Sequence, residues 1–209
     1  MSVKAHEAYC LDSAQDRLLF YDDFLGDSLR DLWTAAGTGS AAVVDAQDGG
    51  IIRLTTGAAS GNNYSLNWNS IRSLHVNKKV TIEARIEFET ITNMGGYLVL
   101  RFDDANRIYF RYDNPTDDTI QIFTTNGGAP TSADTGITPD TDPHIYRIEC
   151  FPTDEVHFYY DGVECTNSPI TTNIPDDAAD YLQPQVRIYT RENAAHYIDA
   201  DYVGVRQEI

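Results

Sequence analysis

Glu83, Glu87 and Glu89 recur at even spacing between Lys79 and Glu89, with Arg85 among them. Alternate residues of an extended strand share a face, so these carboxylates stand on one side. Cleaving a glycosidic bond by hydrolysis needs two carboxyls roughly 5–10 Å apart, and this face supplies the residue type. The simpler reading is a solvated strand face with one local ion pair. Calcium binding is a second chemistry, because a hard cation takes about 6–8 oxygen ligands. Asp22, Asp199 and Asp201 are the candidate Ca²⁺ ligands, since Asp22 and Asp23 would meet Asp199 and Asp201 if the terminal strands pair. Asp103, Asp104 and Asn106 form another acidic cluster. Neither set has the spacing of a calcium loop, and turns account for most of the 23 Asp, so the chain is expected to work without a cofactor. Sugar contact is a third chemistry. Asn63, Tyr64, Trp68, Tyr109 and Tyr112 are the candidate carbohydrate-contact residues, joined by Asn62, Asn69 and Tyr159. Rings on strands also serve as core and cross-strand pairs.

The remaining reactive groups are sparse. The five His are scattered without metal-ligand spacing, which argues against a transition-metal site. Polysaccharide lyase activity would want a basic, aromatic groove with Tyr, His and Arg; Tyr109, Arg111 and His157 supply those residue types, though no motif links them. Cys10, Cys150 and Cys165 are odd in number and are expected to be reduced thiols. Cys150 alternates with Tyr146 and Ile148, so it is expected to face the core and stay inert.

The elements that must position these groups are strands. In Lys79 to Glu89, Val80, Ile82, Ala84, Ile86 and Phe88 alternate with polar residues, the pattern of a half-buried strand. The same period predicts strands over 51–56, 64–68, 97–102, 107–112, 119–124, 145–151, 156–160, 185–190 and 196–206. Asp103 to Asn106 reads as a tight hairpin, and Asp161-Gly162 as a two-residue type I′ turn. Residues 125–142, rich in Gly, Pro and Asp, read as the longest loop. Residues 1–15 read as an N-terminal arm, with Tyr9, Cys10 and Leu11 as expected oligomer contacts, and residues 16–209 as a single domain. The fold class expected is all-β, a sandwich of two antiparallel sheets.

Composition bounds the function. The 209 residues carry 15 basic and 32 acidic side chains, a net charge of -17. Such a surface repels phosphate backbones, so no nucleic-acid partner is expected. No apolar run approaches the ~20 residues that cross a bilayer, so no membrane insertion is expected. The first ten residues lack the apolar stretch of a secretory signal, which implies synthesis in cytoplasm.

Taken in series, these segments resemble the concanavalin A-like lectin/glucanase jelly rolls, including laminin-G-like domains. The residues that carry the likeness are Tyr21-Asp22-Asp23-Phe24 with Leu32-Trp33, Val80 to Ile86, Tyr97 to Phe102 and Ile108 to Tyr112. It continues through His144 to Glu149, Val156 to Gly162 and Ile198 to Val203. Glucanases of this fold carry Glu-x-Asp-x-x-Glu, or a close variant, on one strand; no such pattern occurs here. A narrower resemblance, to tailed-bacteriophage virion proteins, comes from Leu54 to Ala58, Ile71 to Leu74, Tyr181 to Pro184 and Tyr202 to Gln207. It implies a non-enzymatic structural protein of the virion, on head, fibre or tail, made in host cytoplasm. The partners it implies are further copies of the chain as a homo-oligomer, other capsid or tail proteins, and a host-surface glycan. The alternatives are a carbohydrate-binding receptor module and, third, a glycan-cleaving enzyme.

Overall fold

The computed structural model describes residues 10–12, 17–26, 28–47, 49–68, 73–152, 154–176 and 181–208. They contain seventeen strands and no helix. In chain order these are β1 (Cys10–Asp12), β2 (Arg17–Asp22), β3 (Trp33–Gly37), β4 (Gly39–Gln47), β5 (Gly49–Thr56) and β6 (Asn63–Trp68). Next come β7 (Leu74–His75), β8 (Val80–Phe88), β9 (Met94–Arg101), β10 (Arg107–Asp113), β11 (Gln121–Asn126) and β12 (Ala129–Asp134). The last five are β13 (His144–Phe151), β14 (Glu155–Tyr160), β15 (Val163–Glu164), β16 (Tyr181–Thr190) and β17 (Tyr197–Glu208). One sheet of nine strands runs β1-β2-β17-β8-β13-β14-β15, with β5 on β17 and β4 on β5. The other, of eight, runs β12-β11-β10-β9-β16-β6-β3, with β7 on β16. All the paired strands are antiparallel.

The alternation in β8 is realised residue by residue: Val80, Ile82, Ala84, Ile86 and Phe88 are buried, and the residues between them are half-buried. The facing sheet answers with Leu98, Leu100, Ile108, Phe110, Ile122, Val186 and Ile188, each at most 2% exposed. Burying each such side chain contributes about 1.5–3 kcal/mol. Phe110 on β10 meets Tyr146 and Phe158 of the opposite sheet edge-on, at 5.4 and 5.2 Å, and so ties the two sheets together. Cys150 and Cys165 are buried thiols whose pKa burial pushes up to about 12, which agrees with inert thiols at neutral pH.

Turns fall where their residue types demand. Asp161 and Gly162 both take positive φ, 49° and 78°, the backbone of a type I′ turn joining β14 to β15. The Asp103 carboxylate accepts from the amides of Ala105 and Asn106 at 2.8 Å, closing the β9–β10 hairpin. The expected 125–142 loop is only partly a loop. Gly127 and Gly128, at φ 57° and 83°, turn the chain into β12, an edge strand pairing β11. Its sequence APTSAD carries little apolar alternation: Ala133 packs against the core, and its other residues are small or polar and largely exposed. Of the expected arm, Cys10 and Leu11 lie in β1, which pairs with β2; Tyr9 lies outside the described residues.

Two histidines, one on β13 and one on β14, are held by carboxylates. His144 sits 2.6 Å from Asp161 and 2.8 Å from Asp140, and His157 sits 2.6 Å from Glu164 and 3.1 Å from Glu155. Partial burial opposes their charging, but the carboxylates outweigh it and raise both imidazole pKa values. A folded-state pKa raised above the unfolded value gives stability that is full at low pH and is lost as pH rises through the folded pKa. The expected result is a melting temperature that falls between about pH 6 and pH 8, with a shallower fall in a His144→Gln/His157→Gln variant. Equal slopes for the two proteins would remove this account.

Candidate functional site

The outer face of the eight-stranded sheet is built by the residues that alternate with its core. On β9, Tyr97, Val99 and Arg101 point away from Leu98 and Leu100; on β10, Arg107, Tyr109 and Arg111 point away from Ile108 and Phe110. Register then sets the neighbours. Tyr97 lies between Arg111 and Arg187, Val99 between Tyr109 and Gln185, and Arg101 between Arg107 and Gln183. Phe123 of β11 lies beside Tyr109, and Asn63 of β6 beside Tyr189.

The rings form a continuous floor. Phe123 and Tyr109 stack at 4.7 Å and 1°, Tyr109 meets Tyr97 at 5.7 Å, and Tyr97 meets Tyr189 at 5.4 Å. Guanidinium groups cover it: Arg107 lies 4.7 Å from the Tyr109 ring, Arg111 4.5 Å from Phe123 and Arg191 4.6 Å from Tyr189. Such contacts contribute about 0.5–2 kcal/mol each. Gly95 makes the floor geometrically feasible. A Cβ there would stand 2.1 Å from the Tyr189 hydroxyl oxygen, which reaches across β9 to donate to the Tyr112 carbonyl at 3.3 Å. Burial raises the pKa of the Tyr109 and Tyr189 hydroxyls, so both remain protonated at neutral pH.

Acidic groups at this face are already engaged. Both Asp117 oxygens accept from Arg111 at 2.9 Å, and both Asp113 oxygens accept from Arg191. These hydrogen bonds raise the Arg191 pKa, and at Arg111 they overcome the opposing burial. Arg101 and Arg107 share the exposed Asp104, at 3.1 and 3.7 Å. Among the described residues, no carboxylate lies within ion-pair distance of Arg187.

The expected sugar-contact residues divide between the two sides of the sheet. Tyr109 and Asn63 are on the outer face. Tyr64, Trp68 and Tyr112 are not: they share parity with Leu66 and Phe110 and pack in or against the core, where the Tyr112 hydroxyl donates to the Ile91 carbonyl at 2.6 Å. Asn69 lies outside the described residues. Tyr97, Arg101, Arg187, Gln183 and Tyr189 were absent from the sequence-based set. Their signal was present as outer-parity positions in strands whose alternate residues are apolar, but their adjacency was not.

The expected calcium ligands do not converge. Asp22 accepts from the Phe24 amide and the Trp33 indole and pairs with Arg30; Asp199 holds Arg53; Asp201 holds Arg85. Among the described residues no group of three His, Cys, Asp or Glu could hold a metal ion. His157 stands on β14 of the nine-stranded sheet, apart from Tyr109 and Arg111. The expected glutamate row is on the outer face of that same sheet. Arg85 pairs with Asp201 rather than with those glutamates, and Glu89 accepts from the Tyr197 amide at 3.0 Å. Glu83 accepts from the Tyr202 hydroxyl at 2.8 Å and lines a cavity of ≈ 260 Å³ with Glu149, Arg147, Lys79 and Tyr21.

No family model and no curated sequence matches the chain. Solved structures do share its fold. An endo-β-1,3-glucanase from Pyrococcus furiosus is 13% identical over 94% of this chain and 97% of its own, with a TM-score of 0.69. A β-1,3-glucanase from Mycobacterium marinum is 14% identical over 89% and 97%, at 0.67. A Bacteroides ovatus GH16 protein of a mixed-linkage glucan locus, solved with a G4G4G3G product, is 12% identical over 89% and 99%, at 0.65. These neighbours overturn two expectations, that the chain is a non-enzymatic virion component and that it is not an enzyme, because these three proteins, built like it, have names that refer to glucans. The narrower phage resemblance finds no counterpart among them. The chain has the jelly-roll sandwich of the concanavalin A-like glucanases.

Proposed function

We propose that the protein is a glycan-cleaving enzyme that lays a polysaccharide across the outer face of the eight-stranded sheet. The observation that carries this reading is the floor of Tyr189, Tyr97, Tyr109 and Phe123 across four adjacent strands, bordered by arginines and side-chain amides. The half-buried Tyr97 ring offers a sugar an apolar stacking surface, braced by Tyr109, Phe123 and Tyr189, which lie buried beneath the guanidiniums, while the amides and guanidiniums match sugar hydroxyls. With Asp113 and Asp117 each clamped by a guanidinium, this face holds no unengaged pair of carboxylates for hydrolysis among the described residues. Tyr97, in register between Arg111 and Arg187, is the group placed to exchange a proton there.

A second reading has a specific observation behind it. Glu83 and Glu149 both approach Arg147, at 4.0 and 3.3 Å, within the cavity of the nine-stranded sheet. Two carboxylates in one cleft are what hydrolysis needs. The test is to incubate the purified protein with neutral β-glucans and with acidic polysaccharides, and to follow new reducing ends and ultraviolet-absorbing unsaturated ends. Cleavage abolished by Tyr97→Ala supports the first reading, and cleavage abolished by Glu83→Gln or Glu149→Gln supports the second. No new chain ends with any substrate would defeat both.

A further inference from the structure

We infer that the glycan taken by the eight-stranded sheet is anionic, its carboxylate or sulfate received between Arg101 and Arg107 and its hydroxyls by Gln183; this rests on that face being the glycan site. Arg101 and Arg107 are direct cross-strand partners. Like charges placed opposite one another in a sheet repel, so the pair calls for an anion between them. Among the described residues one carboxylate lies within ion-pair distance of the two guanidiniums, Asp104, on the exposed β9–β10 turn. Its side chain is 74% exposed and approaches at 3.1 and 3.7 Å, so among the described residues two positive charges share one negative charge.

The same row carries unpaired polar atoms. The Nε atoms of Arg101 and Arg107 are buried without a hydrogen-bond partner, as is the side-chain carbonyl of Gln183, a residue only 6% exposed. Leaving a buried polar group unpaired costs about 1–3 kcal/mol, so this row is short of partners from within the fold, and the Arg101 and Arg107 side chains, each 28% exposed, present their charge to an outside anion. Arg187, in the next row, adds another guanidinium with an unpaired Nε. A neutral glucan needs none of these charges. In a chain of net charge -17 the basic row is also local, so a polyanion is repelled at long range and held only on contact.

The test measures binding of the full chain to polygalacturonate, to a sulfated galactan and to a neutral β-1,3-glucan, with melting curves to verify folding of each variant. One or both polyanions should bind more tightly than the neutral glucan, and which of them does identifies the anionic group. Arg101→Gln/Arg107→Gln should weaken polyanion binding about tenfold or more, as expected when charge-assisted bonds are lost. Asp104→Ala removes the internal competitor and should tighten it; this exposed position keeps the test open if the double variant fails to fold. Preference for the neutral glucan, with loss of binding in Tyr97→Ala, would overturn the anionic class and leave the face as the glycan site. Polyanion binding indifferent to both the arginine and the Asp104 changes would overturn the assigned row. Binding of all three glycans unchanged by Tyr97→Ala as well would remove the face itself.

Discussion

Replacing Phe110 by alanine is expected to destabilise the sandwich by about 3–5 kcal/mol, the usual cost of truncating a buried aromatic. Phe110 is 2% exposed and stands on a strand whose other side carries Tyr109 and Arg111. Its ring contacts Tyr146 and Phe158 on the opposite sheet, so truncation opens a cavity between two sheets that cannot easily close around it. With domain stabilities commonly about 5–15 kcal/mol, the loss is a large fraction of the total. Phe110→Leu keeps much of the volume and should lose less. Urea unfolding followed by tyrosine and tryptophan fluorescence measures both. A Phe110→Ala loss under about 1 kcal/mol would mean that this contact does not join the sheets as described.

Asp22→Ala is expected to cost about 3 kcal/mol, for electrostatic reasons rather than for volume. The Asp22 carboxylate is 1% exposed and serves three groups at once. It accepts from the Trp33 indole at 2.7 Å and from the Phe24 amide at 3.0 Å, and Arg30 lies 3.4 Å away. The turn it caps holds Phe24 at a φ of 52°, a backbone that a non-glycine residue adopts only when its surroundings impose it. Removing the carboxylate strands two donors and one cation. Asp22→Asn retains one acceptor oxygen and should cost less than Asp22→Ala. Because this carboxylate is committed to protein donors, added Ca²⁺ should leave the melting temperature unchanged. A calcium-dependent rise abolished by Asp22→Ala would restore the metal role.

Which residues point inward was legible in the chain itself wherever a strand alternates. The pleat is a local property, and Val80 to Phe88, Leu98 and Leu100, and Ile108 and Phe110 follow it. Turn chemistry was equally local, so Asp161-Gly162 and the Asp103 hairpin fell where their residue types placed them. Strands β3, β4 and β12 were not legible. Their Ala, Gly, Thr and Ser become strands by pairing with a neighbour rather than by their own preference. The aromatic candidates exposed the limit of composition, because Tyr64 and Tyr112 differ from outward-facing rings by one step of parity. Tyr109 and Arg111 could be seen as a pair on one strand, but the site could not. Arg187 meets Tyr97, and Gln183 meets Arg101, only because β16 enters the sheet beside β9 in one register. That register is set by the burial of Val186 and Ile188 against the opposite sheet, a contact between segments distant in sequence. Local alternation fixes the side of the sheet on which a residue stands; only the packed sandwich decides which residues stand beside it.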